Sequence, residues 1–105
     1  MNKEMETELE DEKINEVVDF LKSEKITKKR YLRIFGNPNF PFTPREIKIF
    51  FMRWGVGGER EMHGLSDVGK YFGVTRERIR QLERRLYLKI YDIHLNKEQH
   101  EKNIK

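Results

Sequence analysis

Arg76, Glu77, Arg80 and Gln81 lie within one short stretch, and each carries a side chain able to pair with the edge of a base. Arginine donates two hydrogen bonds to the major-groove edge of guanine, glutamine pairs with adenine, and glutamate accepts from the amino group of cytosine. A good bidentate contact of this kind discriminates by about 1–3 kcal/mol. The chemistry requires all four to leave one face of a rigid element. Helical spacing provides that face, because Ile79, Leu82, Leu86 and Ile90 recur on the other side. Arg84 continues the polar face and is expected at the DNA backbone. Arg78, Arg85 and Lys89 lie further round or along the helix and suit phosphates, while Thr75 and the leading amides suit a phosphate at the helix start. The same residues also have a purely structural reading, in which Glu77, Arg80 and their neighbours pair with one another on a solvated helix.

Holding such a helix against a duplex is the task of the elements before it. The pattern predicts a helix from about Leu65 to Phe72 ended by Gly73, then a helix capped by Thr75 that runs to about Tyr91. Gly69 falls where the two would cross, and Gly73 at the turn, where glycine accepts a positive φ without strain. Val68, Phe72, Val74, Ile79 and Leu82 supply the apolar contacts between them. Upstream, Thr43-Pro44-Arg45-Glu46 combines a cap, a proline for the first helical position and the glutamate of a capping box. Ile47, Phe50, Phe51 and Trp54 then form an apolar stripe. Gly55, Gly57, Gly58 and Gly64 make 55–64 a loop, expected simply to span two helices.

Before this lie an amphipathic helix over roughly 8–22, with Leu9, Ile14, Val17, Val18 and Leu21 on one side, and a short basic helix over about 27–35. Gly36, Asn37, Pro38, Asn39 and Pro41 mark a hinge. The chain is thus expected to be all-α, divided into an N-terminal part (1–41), a helix-turn-helix part (42–95) and a polar tail (96–105).

Composition narrows the functions. In 105 residues, 38% are charged and 36% hydrophobic, which allows one small core and no second comfortable one. No apolar run is long enough for a transmembrane helix, so no membrane partner is expected. There is no cysteine, which removes thiol catalysis and thiolate metal sites. His63, His94 and His100 are scattered, so neither a metal nor any other cofactor is expected, and no nucleophile–base pair suggests an enzyme. Charge is segregated: residues 1–24 hold three lysines and nine acids, a net of −6, leaving 19 basic and nine acidic side chains, a net of +10, for 25–105. A basic body suits a polyanion.

Phe42-Thr43-Pro44-Arg45-Glu46, Arg53-Trp54-Gly55 and the run from Val68 to Glu83, above all Val74-Thr75-Arg76-Glu77-Arg78-Ile79-Arg80-Gln81, resemble region 4 of bacterial sigma-70-type initiation factors. The resemblance covers about 42–91. It implies a domain that reads the −35 promoter element in double-stranded DNA and docks on the flap of the RNA polymerase β subunit, in the cytoplasm, at the nucleoid, of a bacterium or in a phage-infected cell. By position, Arg76, Glu77 and Gln81 become base readers, while Arg80, Thr75, Arg85, Arg45 and Arg53 hold the DNA backbone or lie beside it. Phe50, Phe51 and Trp54 are expected in the core, with one of them lining the groove for the flap as the alternative. Phe51 replaces an arginine usual in the principal factors, which loses a basic contact or gains an apolar patch. Nothing upstream resembles regions 2 or 3, so this part is not expected to open a promoter alone, and a companion polypeptide would supply the rest. The acidic head either packs its stripe on Tyr31, Leu32 and Phe35 or lies over the basic face and masks it. An interaction module that competes for the polymerase flap and a dimeric helix-turn-helix repressor stand as alternatives.

Overall fold

The structure is a computed structural model, and it describes residues 3–23, 34–35 and 42–96, with side chains described from Glu8 onward. Within these residues four α-helices are arranged in the order α1 (Lys3–Ser23), α2 (Pro44–Trp54), α3 (Leu65–Phe72) and α4 (Arg76–Ile90), and a π-helical turn, Tyr91–Leu95, prolongs the last. No described residue lies in a strand. Of the short basic helix expected at 27–35 only Ile34 and Phe35 are described, and both are helical. The rest of that helix, the hinge residues 36–41 and tail residues 97–105 lie outside the described residues.

The start of α2 obeys its sequence. The Thr43 side chain accepts from the Glu46 amide at 3.1 Å and the Glu46 carboxylate accepts from the Thr43 amide at 3.0 Å, closing a capping box with Pro44 in the first turn. Gly55, left-handed at φ 65°, ends the helix. The stripe was only half legible. Phe50 is buried, but so are Ile49 and Met52, whereas Ile47, Phe51 and Trp54 are half-buried. The reason is that α2 sits between two apolar clusters. One side joins Ile49 and Met52 to Val68, Ile79 and Leu82 of the α3–α4 pair. The other joins Phe50 to Leu86, Tyr87 and Ile90 of α4, to Ile34, and to Val17 and Leu21 of α1.

The loop does more than span. Val56 N–H donates to Phe51 O and His63 N–H to Met52 O, folding 56–63 back along α2. A Cβ on Gly57, which has φ 63°, would come within 2.4 Å of the Phe51 ring. Phe51 therefore lies beneath the loop, edge-on to Phe35 and Phe50, and makes no exposed apolar patch. In α1 the buried stripe is shorter than its pattern, because Val17 and Leu21 are covered while Leu9 is 45% exposed. Phe35 packs on the cluster that α1 joins; Tyr31 and Leu32 lie outside the described residues. Among the described residues no helix is long and apolar enough to cross a membrane.

Candidate nucleic-acid interface

The α3–α4 pair is built around Gly69. A Cβ there would meet Val74 O at 2.8 Å, with Arg76 N and Thr75 C at 3.4 Å, so only a bare α-carbon lets α4 begin this close to α3. The turn is held by hydrogen bonds as well. Val74 N–H donates to Gly69 O at 2.9 Å, and Gly73, at φ 69°, donates to the carbonyls of Gly69 and Lys70. The left-handed residue reverses the chain in the fewest steps, and glycine adopts it without strain. Thr75 then caps α4, its side chain accepting from the Arg78 amide at 3.1 Å.

On α4 the buried residues are Ile79, Leu82, Leu86, Tyr87 and Ile90. Arg76, Glu77, Arg80 and Gln81 are all exposed on the first two turns, and at 3.6 residues per turn they span an arc of roughly 140° facing away from Ile79 and Leu82. Arg80 lies across Glu77, with Nε and Nη2 donating to its carboxylate at 2.9 and 2.6 Å. That pairing holds the Glu77 carboxyl below its ordinary range. With Arg80 49% and Glu77 61% exposed, the pair is of the weak, solvent-screened surface kind. A base or phosphate can replace either partner. Gln81 accepts from Arg78 Nη1 at 3.4 Å, also an exposed contact.

Besides Thr75 and Arg78 at the start of α4, the residues expected at the backbone fall into three places. Arg45, Arg85 and Lys89 gather with Thr43, Glu46 and Leu82 around an open cleft of about 260 Å³ between the start of α2 and α4. Arg45 and Arg85 are exposed, whereas Lys89 donates to both Glu46 carboxylate oxygens at 2.9 and 3.0 Å. Arg53 points inward: Nε donates to Glu83 at 2.6 Å and Nη1 to His63 O at 2.9 Å. Its guanidinium ties α2 to α4 and to the loop, so it sets the position of α4 from behind. Arg84 is in a third place. Its Nη1 donates to Asp11 at 2.7 Å and its Nη2 to Glu10 at 3.1 Å, two acids of α1. Only the charge segregation of the sequence hinted at this contact, since no local spacing links residues 73 or 74 apart.

Trp54 and Tyr87 close the other side. The indole Nε1–H donates to the Tyr87 hydroxyl at 3.0 Å, and the indole stacks on Phe50. Burial pushes the Tyr87 phenol well above its ordinary range, with the Glu83 charge adding to the effect. Neither Glu83 nor Tyr87 was singled out for these links by sequence reasoning.

A glycine-crossed helix pair whose capped second helix turns a basic, polar face outward is a helix-turn-helix domain. Residues 42–91 match the family model described as Sigma-70, region 4. The chain is 48% identical over 48 residues to RNA polymerase sigma factor RpoD of Neisseria gonorrhoeae and 52% identical over 48 residues to RNA polymerase sigma factor SigA of Lactococcus lactis subsp. cremoris. Each match takes in 46% of this chain, but only 7% and 13% of the respective relative. No solved structure gives a significant match.

Proposed function

We propose that this chain acts in transcription initiation, in the cytoplasm, by inserting the first two turns of α4 into the major groove of a −35-like promoter element while contacting RNA polymerase. It serves either as one subunit of a divided sigma factor, with a companion polypeptide supplying other regions, or as a regulator of initiation. The observation that carries this reading is the exposure of Arg76, Glu77, Arg80 and Gln81 together at the capped start of a helix whose opposite side is buried. The match of 42–91 to sigma-70 region 4 supports the same choice. Arg45, Arg85 and Thr75 serve the DNA backbone from the flank, and RNA polymerase, through its β flap, is the protein partner to test first.

Footprinting of a promoter duplex with and without polymerase tests the proposal. Protection over the −35 region that requires this chain supports it; unprotected −35 DNA in both conditions overturns it. That second outcome is what an interaction module competing for the flap predicts. Within the interface, alanine at Arg80 and Gln81 is expected to relax sequence preference, whereas alanine at Arg45 weakens all sequences alike. Equal behaviour of the two would remove the division of roles.

A further inference from the structure

We infer that Arg84 is an anion site contested between α1 and a DNA phosphate, so that α1 restrains the helix on which the proposed function rests. Arg84 lies at the same angular position on α4 as the arc from Arg76 to Gln81, one turn beyond it. There its side chain is 26% exposed, with Asp11 and Glu10 on its two terminal nitrogens at 2.7 and 3.1 Å. The Asp11 contact has the length of a charge-assisted hydrogen bond and the Glu10 contact is longer; arginine offers the same donors to phosphate oxygens. The Asp11 and Glu10 side chains are themselves 51% and 47% exposed, so the pairing faces solvent and a competing anion can approach it. Asp11 also acts electrostatically on Arg80, which places its field on the reading face itself.

Space sharpens the competition. A major groove is about 12 Å wide and a helix with its side chains about 10–12 Å across, so α4 and a helix lying beside it do not enter together. Val17 and Leu21 anchor α1 on Leu86, Tyr87 and Ile90, and the acidic part of the docked helix occupies the reading side of α4 at Arg84, just beyond its first two turns. Displacing the acidic end of α1 frees Arg84 for a phosphate and lengthens the contact.

The test is the affinity of the full chain for a labelled promoter duplex at fixed salt. The double substitution Glu10→Gln with Asp11→Asn is expected to tighten binding about fivefold, the upper end for an exposed ion pair, and to steepen the logarithmic salt dependence by about 0.9, one phosphate contact. Glu12→Gln with Glu16→Gln removes equal charge from exposed positions of the same helix and is expected to give about twofold or less, because screening weakens distant charges. Adding Arg84→Ala to the first pair returns affinity to the wild-type level or below. Equal gains from both pairs, no gain from either, or a gain that survives Arg84→Ala overturns the inference and leaves DNA reading intact. Absence of duplex binding by every variant overturns both.

Discussion

Gly69→Ala sets two forces of opposite sign against each other. In an exposed helix the change stabilises by about 1 kcal/mol, because alanine loses less backbone freedom than glycine on becoming helical. Here the new Cβ falls 2.8 Å from Val74 O, roughly half an ångström inside ordinary contact. The carbonyl has little room to yield. Its residue donates to Gly69 O at 2.9 Å, and Thr75 beyond it caps α4. Overpacking against fixed atoms costs about 1–3 kcal/mol, and contact with backbone on a closed turn belongs in the upper half of that range. The expected net is a loss of about 1–2 kcal/mol, or a fall in Tm of about 5–15 °C for a domain of this size. Thermal unfolding followed by circular dichroism measures it, with duplex affinity measured on the folded variant at low temperature. Affinity is expected to fall as well, since α4 must tilt away from α3. A variant as stable as the wild type, or more so, would refute the crossing at Gly69.

Glu46 gives a pH dependence. Burial pushes its carboxyl up, but the Thr43 amide, the Lys89 ammonium and the Thr43 hydroxyl together outweigh this and hold it below its ordinary 4.5. A carboxyl lowered by folding contributes stability that is complete above the unfolded value and lost as pH falls through the folded one. Acid unfolding monitored below pH 4.5 should therefore show a dependence that Glu46→Gln flattens, at a cost of about 1 kcal/mol at neutral pH. Thr75→Ala removes the α4 cap and should cost about 1 kcal/mol with Thr75→Ser restoring most of it, as equilibrium denaturation will show. Tyr87→Phe deprives the Trp54 indole of its acceptor and should cost about 1 kcal/mol, with a shift in tryptophan emission as the direct signature.

The second half of the chain was the more legible, for a physical reason. Capping at Thr43 and Thr75, the left-handed glycines and the α3–α4 crossing depend on neighbours a few residues away, so local spacing specifies them. The division of α2 between two clusters was not legible, because adjacent residues such as Ile49 and Phe50 face different partners that are distant in sequence. Arg53 was placed at or beside the DNA backbone by the family resemblance, and its engagement by Glu83, 30 residues on, has no local signature. Leu9 fitted the stripe of α1, yet the buried part of that helix begins further along, where α4 and Phe35 lie against it. The outward face of α4 was visible in the sequence as the complement of its apolar positions. That α1 meets its far end was legible only as one of two alternatives for the acidic head, and the partners of Arg84 were not.

Selection of duplexes from a randomised pool at low salt, with the wild type and Gln81→Ala in parallel, bears most directly on the role of α4. The wild type should enrich a short motif, and the variant should lose preference at one position while keeping the remainder. An unenriched pool, or the same motif from both proteins, would contradict sequence reading by the first two turns of α4.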